Sequence, residues 1–143
     1  MTIVAVNGHF DPRHVGHIKF IQKARKRGQL IVVLNNDQTT LQKNGYVSTP
    51  QDDRKYILEN IKGVSRVITV PDNDNNVFAV EKILERVQCD IFQAGVGDSK
   101  ELKPVCKRLG IRFISLRKRC KDSKGEICSS RGLVKRWAGH DNH

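Results

Sequence analysis

The sequence predicts an α/β fold, a parallel sheet of about five strands with helices on both faces. Three observations predict it: short apolar runs alternate with helical patterns, those runs are rich in β-branched residues, and glycines or capping residues separate them. The first run, residues 3–6 (IVAV), passes through a loop with glycine at either end into a helix over residues 18–27 that starts as early as Val15. Gly28 stops that helix as a C-cap would. Residues 30–34 (LIVVL), 66–70 (RVITV), 90–94 (DIFQA) and 112–116 (RFISL) are the other strands, too short to be helices. Thr49-Pro50-Gln51-Asp52 reads as an N-cap, a proline at the first helical position and an acid at the third, so a helix runs over residues 50–61. Asn76 caps a helix over residues 77–86, and a last one starts near Glu101 and is stopped by Gly110. A doubly wound sheet of this kind binds ligands beyond the carboxyl ends of its strands, the edge on which the loop after the first strand lies.

The 143 residues fit one domain, expected over residues 1–138, with a polar tail over 139–143 that frays. Lys and Arg number 26 against 15 Asp and Glu, and the net charge of +11 is concentrated in residues 23–27 and 117–124, so an anionic partner is expected. Aromatic residues make up only 6%, too few to interleave with the basic ones as nucleic-acid binding would require, so no nucleic-acid partner is expected. No apolar run approaches the ~20 residues of a membrane span, and the first residues lack a secretory pattern. A cytoplasmic location follows as an expectation. Cys89, Cys106, Cys120 and Cys128 include no CxxC pair, and without an export signal they read as reduced thiols.

The chemistry is concentrated in Asn7-Gly8-His9-Phe10-Asp11-Pro12-Arg13-His14-Val15-Gly16-His17. Where a strand turns into a helix, the first backbone N–H groups have no partner and point outward with the positive end of the helix dipole, a ready anion site. Gly8 and Gly16 let a ligand approach the backbone, and His14 and His17, three residues apart, share one side of the first turn. That pattern suggests phosphate chemistry. A transition-metal site built on His9, Asp11, His14 and His17 would leave Ile127-Cys128-Ser129-Ser130-Arg131 without a purpose.

Gly8-His9-Phe10-Asp11 with His14-Val15-Gly16-His17 resembles the G-x-F-D-x-x-H-x-G-H motif of the cytidylyltransferase-like nucleotidyltransferases, the superfamily of glycerol-3-phosphate cytidylyltransferase. Residues 127–131 resemble that family's second motif, I-S-S-T-x-I-R, although Cys128 replaces a serine and Gly132 an apolar residue. Asn35-Asn36-Asp37, Lys43, Arg54 and Gly97-Asp98 fall where members carry N-S-D, a lysine, an arginine and G-G-D. The resemblance covers the chain from Ile3 to Lys135 and implies a Rossmann-like doubly wound fold and a nucleotidyl transfer. In that reaction a phosphorylated alcohol or sugar attacks the α-phosphorus of a nucleoside triphosphate and pyrophosphate leaves.

The resemblance gives each residue an expected role. His14, His17, Lys43 and Arg131 would be catalytic; Gly8, Phe10, Asp11, Gly16, Asp98, Ser129 and Ser130 would bind the nucleotide; Asn7 and Arg54 would bind the acceptor. Mg²⁺ would be carried mainly by the phosphates, with Asp11 helping through water or capping the helix. The basic residues 118–124 would cover the triphosphate, bind an acidic acceptor or stay solvated. The short single-domain chain tips the donor slightly toward CTP. Val6-Asn7-Gly8 and residues 43–54 look like the ATP-dependent adenylyltransferases of heptose phosphates, and a nucleotide-binding protein without turnover is a further alternative. Relatives of this kind are often homodimers, so a homodimer is expected.

Overall fold

The computed structural model of the chain describes residues 1–11, 14–72 and 75–127. Five strands form one sheet: β1 (Ile3–Gly8), β2 (Gln29–Leu34), β3 (Val64–Thr69), β4 (Ile91–Ala94) and β5 (Arg112–Ser115), in the order β3-β2-β1-β4-β5 and all parallel. The chain winds outward from β1 through β2 to β3, then returns to β1's other side for β4 and β5. The switch point therefore lies at the end of β1, where such sheets open a crevice.

Strands covered on both sides need apolar residues at odd and even positions alike, and β2 supplies them as Leu30-Ile31-Val32-Val33-Leu34. Its alternate side chains feed two separate cores. On one face Val4, Val6, Leu30, Val32 and Leu34 pack against Ile21 and Ala24 of α1 (Val15–Arg25) and Leu58 of α3 (Gln51–Glu59). On the other, Ala5, Val33 and Phe92 pack against Val80, Ile83 and Leu84 of α4 (Asn76–Arg86) and Val105 and Cys106 of α5 (Lys103–Leu109). No helix of the described residues is long and apolar enough to cross a membrane.

Helix ends differ from the expected ones by a residue or two, each for a visible reason. Gly28 does not cap α1: the helix ends at Arg25 with Lys26 in a right-handed conformation, and Gly28 is needed because a Cβ there would stand 2.4 Å from the Thr2 carbonyl oxygen. Pro50, not Thr49, is the N-cap of α3. Asn75, not Asn76, caps α4 through its Oδ1, which accepts from the Phe78 N–H at 3.1 Å. Gly110 does end α5, in the left-handed conformation expected of it, although α5 itself begins at Lys103 after a 3₁₀ turn over Lys100–Leu102.

One helix, α2 (Asp37–Asn44), has no counterpart among the elements expected from the sequence. Asn36 caps it, accepting from the Thr39 N–H at 2.8 Å, and left-handed Gly45 ends it. It has no apolar stripe: Leu41 is exposed and Thr40 is its buried residue.

A fully buried arginine joins these elements. Arg54, 0% exposed, donates to the carbonyl oxygens of Thr49 (2.9 Å), Asn35 (3.0 Å) and His9 (2.5 Å) and to Asp37 Oδ1 (2.7 Å). One guanidinium thereby ties the loops after β1 and β2 to the start of α2 and to the entry of α3. Removing it strands three carbonyl oxygens in a shielded place. Arg54→Leu is expected to lower stability by at least about 3 kcal/mol, read as a fall in denaturant midpoint at unchanged slope.

The thiols give a second prediction. Burial pushes Cys89 up to about 12, helped by neighbouring Cys106, and burial alone raises Cys106 to about 11, whereas Cys120 is half-buried. An alkylating reagent at pH 8, followed by peptide mapping, should modify Cys120 and leave Cys89 and Cys106 intact while the fold persists.

Candidate active site

Beyond the carboxyl ends of β1, β4 and β5 lies a cleft of about 640 Å³. Its walls are residues 7–11, His14, Gly16 and His17 from the β1–α1 junction, Asn35, Thr39 and Lys43 from the β2–α2 side, and Gly95, Val96 and Asp98 after β4. Leu116, Lys118, Arg119 and Cys120 close it past β5. Among the described residues the structure therefore brings every expected site residue to one cleft except Arg54. Ser129, Ser130 and Arg131, with the second motif they belong to, lie outside the described residues.

The helix that opens on the cleft has no side-chain cap from its own N-cap residue. His14 occupies the N-cap position in an extended conformation without a capping side-chain bond, and no acidic residue stands in the first turn of α1. Among the described residues nothing acidic in the first turn offsets the positive end of the dipole, which is where an anion is favoured. Three rings line this end: Phe10 meets His17 edge-on with centroids 5.1 Å apart, and His17 stacks on His14 at 3.8 Å and 19°. Phe10 reaches its place with φ of +50°, a left-handed conformation that costs a non-glycine residue about 1 kcal/mol or more. Its ring then lies over Gly8, where a Cβ would be 3.0 Å from it, so a side chain at position 8 would displace the ring on which His17 rests.

Asp11 is 1% exposed and both its oxygens accept backbone N–H groups, from Ser48 at 2.6 Å and Thr49 at 2.8 Å. It clamps the segment entering α3, so it does not cap α1, and the oxygens expected to help hold Mg²⁺ are already engaged. Arg54, expected to bind the acceptor, is instead spent on the protein, behind the cleft wall. Asp98 is exposed and folds back across Gly95, where a Cβ would meet its Oδ2 at 2.4 Å. Lys43, Lys118 and Arg119 are exposed on the cleft and form no ion pair among the described residues, whose pairs are Arg54–Asp37 and Arg108–Glu81. The basic segment is not loose: Lys19 Nζ on α1 donates to the Lys121 carbonyl at 2.5 Å, Lys121 bridges Ile127, and Asp122 Oδ1 accepts from the N–H groups of Lys124 and Glu126 at 2.9 Å. Among the described residues no group of three or more His, Cys, Asp or Glu side chains is arranged to hold a metal ion.

His9 is absent from the expected site residues, yet it is in the cleft and wired to it. Its Nδ1 lies 2.8 Å from Thr40 Oγ1 and its Nε2 3.3 Å from Asn35 Nδ2. The partner Thr40 sits on α2, the helix that sequence periodicity misses. Burial, then the charges of Lys43 and Arg54, lower the imidazole pKa from 6.5 to about 4. Because the folded state resists protonation, the unfolded chain binds more protons between pH 6.5 and 4. Stability due to neutral His9 is present above pH 6.5 and is lost as pH falls toward 4, by at most ~3 kcal/mol. Chemical denaturation at pH 7 and pH 4.5 should give a smaller acid loss for His9→Gln than for the unmodified chain; equal losses would contradict this assignment.

A family model described as cytidylyltransferase-like matches residues 5–112, which takes in most of the sheet and the cleft walls up to β5. The FAD synthase of Aciduliprofundum boonei is 32% identical over 116 residues, 78% of this chain and 74% of that protein. The bifunctional protein HldE of Nitratiruptor sp. is 33% identical over 101 residues, 68% of this chain but 21% of the much longer relative. The crystal structure of the lipopolysaccharide core biosynthesis protein from Thermoplasma volcanium superposes with a TM-score of 0.69 at 29% identity, over 84% of this chain and 99% of that one. The chain belongs to the cytidylyltransferase-like family and is a nucleotidyltransferase.

Proposed function

We propose that the chain transfers an adenylyl group from ATP to the phosphate of a phosphorylated polyol, releasing pyrophosphate. The observation that carries this reading is the convergence on one cleft of the α1 N-terminus, whose N-cap His14 makes no capping side-chain bond, the stacked His14 and His17, and Lys43, which forms no ion pair among the described residues. A phosphate monoester is largely dianionic at neutral pH, its second pKa being about 6, so the attacking oxygen needs no strong base. What it needs is alignment with the α-phosphorus and relief of the charge that develops there and on the departing pyrophosphate. His14 and His17 donate hydrogen bonds to those phosphate oxygens, the open N–H groups of α1 receive one phosphate, and Lys43 neutralises a second. Ser129, Ser130 and Arg131 hold the β- and γ-phosphates in the role the second motif implies. Mg²⁺ carried by the phosphates would supply charge neutralisation; Asp98 and Glu101, both exposed on the cleft, would be open to its water shell, whereas Asp11 is engaged by two N–H groups.

The relatives' names favour ATP over CTP, the donor toward which the sequence tips. FAD is AMP joined by one phosphoanhydride bond to the phosphate of FMN, itself a phosphorylated ribityl alcohol, so FMN is the first acceptor to test. A sugar phosphate is the second reading. It is favoured by the polar wall of Asn7, Asn35, Thr39 and Asn44 and by the likeness to the lipopolysaccharide core biosynthesis protein. A homodimer is part of the reading and is checked by light scattering at micromolar concentration.

The test is pyrophosphate release with each of ATP, CTP, GTP and UTP against FMN, hexose 1-phosphates and glycerol 3-phosphate, with Mg²⁺. Release with ATP and one phosphate ester is expected. CTP alone supporting release would move the donor to cytidine, and nucleotide binding with no release across the panel would favour a protein without turnover. His17→Ala should reduce turnover by about 100- to 1,000-fold with the unfolding midpoint nearly unchanged; near-normal turnover would remove His17 from the site.

A further inference from the structure

Four side chains on the β2 side of the cleft are joined in a single hydrogen-bonded row. Asn7 Nδ2 donates to the Val33 carbonyl at 2.9 Å and to Asn35 Oδ1 at 3.0 Å; Asn35 Nδ2 donates to His9 Nε2 at 3.3 Å; His9 Nδ1 stands 2.8 Å from Thr40 Oγ1. The direction of every bond follows from the first. A backbone carbonyl only accepts, so Asn7 must turn its amide nitrogen to Val33. The second N–H of that nitrogen then meets Asn35, which must answer with its oxygen. Asn35 is thereby obliged to turn its nitrogen to His9, whose Nε2 must be a lone pair, so the imidazole proton sits on Nδ1 and goes to Thr40. An imidazole protonated at Nε2 would set donor against donor and turn the row around.

The row determines what the cleft offers. Asn7 has spent both N–H groups, so Oδ1 is its remaining hydrogen-bonding group, an acceptor. A buried Thr40, 0% exposed, and a buried Asn35, 5% exposed, leave little room for the row to rearrange.

We propose that His9 is a positioning residue which, by keeping its proton on Nδ1, fixes the Asn35 and Asn7 amides so that Asn7 Oδ1 accepts a hydrogen bond from a hydroxyl of the acceptor. This rests on the phosphorylated-polyol reading above and specifies it: the acceptor carries a hydroxyl within reach of β1 when its phosphate faces α1. The charges of Lys43 and Arg54 and the burial of the ring work in the same direction, since each disfavours the imidazolium.

Two experiments test it, and the first does not depend on turnover. Two-bond ¹H–¹⁵N correlation spectra of the labelled chain at pH 7 should show His9 neutral with the proton on Nδ1; an Nε2–H tautomer or an imidazolium overturns the proposal. The second is steady-state kinetics with ATP and FMN, and with ATP and butyl phosphate, an ester that lacks hydroxyls. His9→Leu should raise the FMN KM about tenfold while moving the ATP KM much less, and should shrink the preference for FMN over butyl phosphate. His9→Gln, whose Oε1 can take the bond from Asn35, should recover most of the loss. An unchanged FMN KM in His9→Leu, or equal rises for ATP and FMN with no recovery in His9→Gln, contradicts the proposal. Should the unmodified chain turn over no phosphate ester at all, the polyol reading fails and takes the acceptor contact with it, while the spectra still decide the tautomer.

Discussion

Three carbonyl oxygens and one carboxylate converge on the Arg54 guanidinium, and the site stands only where they converge. The loop after β1 must turn back at His9 to start α1, and the loop after β2 must turn at Asn35 to start α2. Both turns expose a carbonyl oxygen to the interior, where an unpaired one costs about 1–3 kcal/mol. A neutral side chain could serve one of them; the planar fork of an arginine serves both and still reaches Thr49 and Asp37. The charge itself is tolerable because Asp37, with a side chain 41% exposed, is partly solvated and answers it at 2.7 Å. Asp11 does the complementary work with opposite sign, holding the N–H groups of Ser48 and Thr49. Together they fasten the entry of α3 under the two loops that carry the chemistry.

From that fastening the cleft's properties follow in sequence. A β1–α1 turn held at His9 allows Phe10 its left-handed backbone, and Phe10 in turn supports the His17 and His14 stack over a helix end whose N-cap residue makes no capping side-chain bond. A β2–α2 turn held at Asn35 brings Thr39, Thr40 and Lys43 across from it. The cleft therefore has an anion-seeking centre at α1, a polar wall at β1 and β2, and at both margins exposed cations without an ion pair among the described residues, Lys43 on one and Lys118 with Arg119 on the other. Such a layout suits two phosphorylated molecules meeting over β1, which is what a nucleotidyl transfer to a phosphate ester requires.

Much of this is readable in the sequence because the signals are local. The strands declare themselves by short apolar runs, clearest in β2, whose burial on both faces leaves no polar alternation, while the edge strands β3 and β5 keep exposed polar residues within theirs; their carboxyl ends locate the cleft. Caps are displaced by one position: Asn75 and Asn76 are equally plausible neighbours until backbone angles decide, and residue type favours Thr49 although the extended residue before α3 is Pro50, which offers no capping side chain. Helix α2 escapes because its evidence is at its ends, Asn36 and Gly45, and its middle offers one exposed leucine instead of a stripe. Losing α2 conceals Thr40 and with it the role of His9. Arg54 and Asp11 read as ligand-binding because sequence reveals charge but not burial. The two cores cannot be separated in advance either, since which side of β1 receives β4 is a matter of long-range pairing.

The central claim is that an acceptor's phosphate becomes one half of a new diphosphate. Phosphorus NMR of a mixture of the chain, ATP, Mg²⁺ and FMN, with a parallel mixture containing a hexose 1-phosphate, tests it most directly. The account predicts that in one of them the monoester resonance declines while a pair of mutually coupled diphosphate resonances and free pyrophosphate grow in equal amounts. Monoester signals that persist in both mixtures while ATP gives only ADP and inorganic phosphate would contradict it.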